Sequence, residues 1–322
     1  LVLAGLLAAG LLLGRVPAVR RTALCAGCVF AVVALPVGAI APGWPPSGWV
    51  LVACDVGQGD ALVLNAGPHT AVVIDAGPDP AAADECLHRL GVRQIPLIVI
   101  THLHTDHIGG LAGVLRGRSV GAIEVGPLAE PAPAWADVSR QARAAGIAVL
   151  RSRAGERRTV RGIRLQVLGP VMAFHGTRSD PNNSSIVLRV GTAGRTLLLA
   201  GDAEVEGQDA LLAAGADLRA DVLKVPHHGS AYGDPRFFDQ VHPLVALVSV
   251  GADNPYGHPS ASVLARLRRM GVQTGRTDRD GDLAVAVRAG RMYVVSGGAH
   301  RSRGRTVRRP AARAPPRRAM QR

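Results

Sequence analysis

Aromatic residues are scarce in this chain, with Phe, Tyr and Trp making up 3% of its 322 residues. A core built from it must therefore rely on Ala, Val, Leu and Ile. So few rings also argue against a surface that grips single strands by stacking bases, because that mode needs exposed aromatics. Lysine is rarer still: Lys224 stands alone among 37 basic residues. Cysteine is limited to Cys25, Cys28, Cys54 and Cys86. Cys25 and Cys28 form a C-x-x-C inside an apolar run with no second pair, which speaks against a zinc ribbon or redox motif. Residues 301–322 hold nine arginines and no acid at all. With those and Arg15, Arg20 and Arg21 set aside, 25 basic residues face 24 acidic ones, so the remainder is nearly neutral despite the overall +13. The basic excess therefore describes a tail and a loop and says little about the active site.

Charge is missing altogether from residues 22–41. Twenty apolar residues at about 1.5 Å rise each cross a hydrocarbon layer of roughly 30 Å. Residues 1–14 are equally apolar but short, and the intervening loop carries the three arginines. This predicts one or two transmembrane helices over 1–41, with the loop cytoplasmic and everything after Ala41 outside the cell. A Pro/Gly-rich linker follows at 42–48. From 49 to 298 short apolar runs alternate with helical segments, the pattern of an α/β sandwich. Strands are expected at Val50–Val56, Ala61–Asn65, Ala71–Asp75, Leu97–Ile100, Arg164–Leu168, Ile186–Val190, Thr196–Ala200, Asp221–Val225, Leu244–Val250, Leu283–Val287 and Met292–Val295. Helices are expected from Gly109, over Ala134–Ala145 and over Ser260–Met270. Residues 299–322 read as a disordered, Arg-rich tail.

Three clusters carry chemistry. Thr101-His102-Leu103-His104-Thr105-Asp106-His107 places three imidazoles and a carboxylate directly after an apolar strand. Alternate side chains there can turn to one point, so His102 and His104 share one cation while Asp106 and His107 reach a second. Gly201-Asp202 ends another strand, where a carboxylate can bridge two ions. Lys224-Val225-Pro226-His227-His228-Gly229-Ser230 follows a third; one of the adjacent histidines can ligate while the other faces substrate. Asp55-Val56-Gly57-Gln58-Gly59-Asp60, between two strands, reads equally as a polar turn or as part of the site. Lys224, solitary beside the histidine pair, suggests a phosphate contact.

The order Asp75, H-x-H-x-D-H, Gly-Asp, His resembles the metallo-β-lactamase superfamily across about residues 50–298. Together with Asp55–Ala61, Asp75-Ala76-Gly77-Pro78, Asn182-Asn183-Ser184-Ser185 and Tyr256-Gly257-His258-Pro259, it is similar to the C-terminal domain of the ComEC competence family, polytopic membrane proteins through which DNA enters the cell. The resemblance implies an αββα sandwich with its site at the edge between two β layers, and two divalent ions, zinc or manganese. It implies His102, His104, Asp106, His107, Asp202 and His227 or His228 as ligands, with Asp55, Asp60 and Asp75 supporting them from behind. Asn183 stands where the superfamily usually brings a further histidine, and is the expected weak ligand in its place. Asp106, His228, Lys224 and His258 are the candidates for chemistry on a phosphodiester. The expected activity is a phosphodiesterase or nuclease acting on single-stranded DNA, without sequence preference, beside other domains of a membrane channel. Two other readings compete with it: hydrolysis of another ester or of an envelope phosphoester, and a non-catalytic domain that guides DNA.

Overall fold

A computed structural model describes residues 43–297 and the backbone of the two-residue strand Arg305–Thr306. The predicted membrane segments and nearly all of the Arg-rich tail lie outside these residues. Among the described residues no helix is long and apolar enough to cross a membrane.

Strands β1 (Trp49–Ala53), β2 (Leu62–Asn65), β3 (Thr70–Ile74), β4 (Gln94–Ile100), β5 (Ser119–Val125) and β6 (Ala148–Arg151) form one half of the first sheet. The second sheet holds β7 (Arg157–Val160), β8 (Ile163–Gly169), β9 (Val187–Thr192), β10 (Arg195–Leu199), β11 (Val222–Lys224), β12 (Val245–Val248) and β13 (Gln273–Arg276). The chain then returns, and β14 (Leu283–Arg288) and β15 (Arg291–Ser296) complete the first sheet on the other side of β1. Arg305–Thr306 adds a further short strand to β15, within the stretch predicted to be disordered. β3 to β6 run parallel, as do β10 to β13; the remaining pairs are antiparallel.

The alternation of strand side chains makes three apolar layers. In β3, Ala71 and Val73 face outward to the helix α1 (Pro80–Arg89), while Val72 and Ile74 face the second sheet. In β10, Leu197 and Leu199 meet them from the other side, and Leu198 turns outward to α3 (Val205–Ala213) and α4 (Pro235–Val241), the latter through Phe237 and Phe238. With α2 (Ala132–Ala144) on the first sheet and α5 (Ala261–Arg269) on the second, this is the expected αββα sandwich. Strands buried on both faces explain the continuous apolar runs in the sequence.

Local signals fix the helix starts. The Asp79 side chain accepts a hydrogen bond from the Ala82 N–H at 2.8 Å with Pro80 in the first turn, and Ser260 caps α5 through Val263. The predicted linker is held down over residues 44–48: the Val287 N–H donates to Gly48 O, Arg288 Nε donates to Ser47 O, and Trp44 covers Gly297 so closely that a Cβ there would lie 2.9 Å from the ring.

Cys54, just past β1, and Cys86, inside α1, form a disulfide with a Cα–Cα distance of 6.0 Å across a 32-residue separation. Both are buried. Replacing both by alanine is expected to lower stability by about 3 kcal/mol and Tm by roughly 10 °C, since the bond limits the freedom of the unfolded chain. Thermal melting with and without reductant checks this; an insensitive Tm in both tests would show that the bond is not formed.

Candidate metal centre

The histidine and aspartate candidates for ligation sit at the carboxyl ends of strands, where chains in open α/β sheets leave a crevice, whereas Asn183 lies in a helical turn ahead of β9. β3 delivers Asp75, β4 delivers His102 to His107, β10 delivers Asp202, and β11 delivers His227 and His228. The loops are laced by backbone bonds. Asp60 N–H donates to Asp106 O, Ala76 N–H to His107 O, and Gly110 N–H to Gly77 O. Such close approach explains the glycines. A Cβ on Gly59, at φ +147°, would lie 2.2 Å from Asp106 O, and one on Gly110 would lie 2.0 Å from Ala76 O. Asp75, His227 and His228 themselves occupy left-handed backbone at φ 60°, 46° and 53°, a strain held by the surrounding fold.

Asp106, His107, Asp202 and His228 form the densest group, with one donor atom from each lying within 4.8 Å of the others. His107 Nε2 is 3.3 Å from Asp202 Oδ2 and 3.8 Å from Asp106 Oδ2. His228 Nε2 is 3.4 Å and 3.2 Å from the same two oxygens. The far nitrogens are anchored: His107 Nδ1 lies 2.8 Å from Asp75 Oδ2, and His228 Nδ1 lies 2.9 Å from Ser249 O. This anchoring presents each Nε2 to the common point, as metal-binding imidazoles require. Asp75 is itself held by the Thr101 N–H and hydroxyl at 2.7 and 2.8 Å. Beside the group, His102 Nε2 and His104 Nδ1 approach to 3.1 Å, and the His102 and His107 rings are 4.1 Å apart.

The electrostatics ask for a cation here. Burial opposes charge on His107 and His228, yet Asp202 together with Asp75 or Asp60 outweighs it and holds both well above the usual imidazole range. Burial would raise Asp202, but the two imidazoles hold it well below the usual carboxylate range. His102 goes the opposite way, pushed well down by burial and by its neighbour His107. The carboxylates around His107 and His228 thus favour positive charge at this point. His107 Nε2 and Asp202 Oδ1 are buried without hydrogen-bond partners, which fits atoms able to ligate a cation. The donor set suits a divalent metal.

The histidine pair is resolved by geometry. His228 enters the four-donor group, whereas His227 Nδ1 lies 2.8 Å from Glu204 Oε1 and its Nε2 stays 3.9 Å from Asp202. His258, the further candidate, is brought in beside them, its ring 5.2 Å from that of His227. Burial and the two neighbouring imidazoles push it down to about 4, so it is neutral at neutral pH.

Three expected residues lie elsewhere. Asn183 is fully engaged: its Oδ1 accepts from the Glu204 and Gly207 N–H groups, and its Nδ2 donates to Thr177 and Glu206. It clamps α3 to the preceding loop, and the Asn-Asn-Ser-Ser atom that reaches the histidines is Ser185 Oγ, 3.3 Å from His102 Nδ1. Lys224 is buried and binds Asp60 Oδ2 at 2.5 Å, so it faces the core and not the cleft. Asp55 contacts none of the histidines; its N–H donates to Asp282. Asp60 and Asp75 lie behind the histidines, Asp60 with one oxygen 3.5 Å from His228 Nδ1 and Asp75 with one 2.8 Å from His107 Nδ1.

Sequence reasoning missed Glu204, which gathers His227, Asn182 and Arg178 on one buried carboxylate. Nothing in Gly-Asp-Ala-Glu-Val marked it beyond proximity to Asp202. The site opens into a cleft of about 790 Å³ lined by His104, Asp106, Asp202, His227 and His228, with Arg178, Tyr232, Tyr256 and His258 at its walls.

An αββα sandwich with histidines and aspartates gathered at its strand ends is the architecture of the metallo-beta-lactamase superfamily, whose pattern residues 54–245 match; the chain belongs to that superfamily. Within it, the chain is 31% identical over 251 residues to ComE operon protein 3 of Bacillus subtilis, covering 71% of this chain and 32% of that protein. It is 31% identical over 199 residues to competence protein ComA of Neisseria gonorrhoeae, covering 61% and 26%. It is 29% identical over 228 residues to recombination protein 2 of Haemophilus influenzae, covering 69% and 26%. The chain spans about a quarter to a third of the length of these relatives.

Proposed function

We propose that this chain provides the metal-dependent phosphodiesterase domain of a ComEC-type protein and that it cuts DNA during uptake at the membrane. The observation that carries the reading is the joint presence of the four-donor group, the adjacent His102–His104 pair and an open cleft above them. Competence proteins among the relatives point the substrate toward DNA.

In this reading Asp106, His107, Asp202 and His228 would hold one divalent ion, and His102 and His104 would contribute to a second. The oxygen-rich first position accepts manganese as readily as zinc. Such ions supply an acidified water nucleophile and neutralise phosphoryl oxygens. The chain's own groups do the remainder. Asp75 and Ser249 fix the tilt of His107 and His228. Glu204 holds His227 Nδ1, so that Nε2 faces the cleft and delivers a proton to the departing oxygen. Arg178 sets a cation at the rim for a neighbouring phosphate.

In this reading the domain lies on the outer side of the membrane. The Cys54–Cys86 bond supports this, because disulfides persist in oxidising compartments.

Incubating the purified full chain with labelled single-stranded DNA and Mn²⁺ or Zn²⁺ tests the activity. Cleavage is expected with at least one metal and is expected to vanish in an Asp106→Ala/His107→Ala variant. Equal behaviour of variant and wild type under both metals would overturn the reading, as would turnover confined to small esters.

A further inference from the structure

Two of the chain's three tyrosines are exposed, Tyr256 by 67% and Tyr232 by 54%, and both line the cleft over the metal centre. Among the described residues they are the exposed large aromatics. Each is tied to the centre. The Tyr256 ring stacks on His258 with centroids 5.8 Å apart and planes at 29°, and His258 stacks on the ligand His228 at 6.5 Å and 28°. On Tyr232, the Arg178 guanidinium lies 3.6 Å from the ring centroid, and Arg178 is pinned by Glu204, which also holds His227. These spacings fall within the range of favourable aromatic and cation–π contacts, so both rings are steadied.

Resting on the phosphodiesterase reading, we infer that Tyr256 and Tyr232 are base-stacking platforms beside the scissile phosphate, and that they select unpaired polynucleotide as substrate. A steadied ring with an open face binds any base through its π-face, without sequence preference. Duplex DNA keeps its base faces covered, and a small aliphatic phosphoester has no ring to offer. The low aromatic content therefore does not exclude stacking, because the few rings available are concentrated at the site.

The test uses the full chain loaded with Mn²⁺ and two labelled oligothymidylates of equal length, one with abasic residues flanking the cleaved phosphate. Tyr256→Ala and Tyr232→Ala are each expected to raise KM for the base-bearing strand about 5- to 150-fold, with a smaller change in kcat. The ratio of kcat/KM between base-bearing and abasic strands should collapse toward one, while Tyr256→Phe and Tyr232→Phe retain it. In parallel, quenching of a 2-aminopurine oligonucleotide by the wild-type chain in chelator reads stacking without turnover, and should be lost in the alanine variants. Equal KM changes on both strands, or quenching untouched by both alanine substitutions, would overturn the inference. Should neither strand be cut by wild type, the phosphodiesterase reading fails, and the quenching result alone decides whether the platforms exist.

Discussion

Asp202→Asn is expected to lower phosphodiester hydrolysis by about 10³-fold, the rate equivalent of losing several kcal/mol of metal-derived stabilisation. Its carboxylate is buried and lies between the histidines, 3.3 Å from His107, 3.4 Å from His228 and 3.9 Å from His227. The amide of asparagine keeps the shape and loses the charge. His107 and His228 then lose the anion beside them, and any cation held by the group would lose a charged ligand. Metal content measured on the purified variant should fall by about one ion per chain or more, while the melting temperature with metal removed should change little. Full activity and full metal content in Asp202→Asn would show that the centre is assembled differently.

Lys224→Met is expected to cost roughly 3–5 kcal/mol of stability, the range for stranding one partner of a buried pair. Lys224 and Asp60 are both fully buried and 2.5 Å apart. Burial on its own would raise Asp60, but Lys224 and then His228 hold it below the usual carboxylate value. The pair therefore adds stability above pH about 4, lost on acidification through the depressed pKa. Once the lysine is gone, burial dominates and the Asp60 carboxyl moves up. Its neutral form then favours the fold, so the penalty is fully present at neutral pH and is relieved as pH falls. The Tm gap between variant and wild type should accordingly narrow toward acid. An Asp60→Leu/Lys224→Met double variant should recover most of the loss, because a matched apolar pair has no charge to strand. A gap that stays constant with pH would exclude this account.

Some features were legible because their cause is local. Apolar runs bounded by glycine and proline located strands such as β3, β4 and β10, since burial on both faces leaves a continuous signature. The His102–His107 cluster was legible because three imidazoles and an acid after a strand have few uses other than a cation. Less apolar elements were missed. β6, β7 and the first half of β5 are exposed or half-buried, and Glu124 in β5 depends on a distant partner, Arg158, at 2.9 Å. α1 escaped notice because its apolar stripe is short and interrupted by acids and histidine.

The sequence by itself determined the layered α/β sandwich and the donor types of the metal centre, because apolar periodicity and ligand chemistry are written residue by residue. Only the tertiary structure decided that His228 and not His227 joins the four-donor group, that Asn183 turns away and Lys224 turns inward, that Cys54 finds Cys86, and that scarce tyrosines gather at the cleft. The physical reason is directional. Which way a side chain points at a strand end depends on left-handed turns and on hydrogen bonds to loops tens of residues away, and no local pattern encodes those partners.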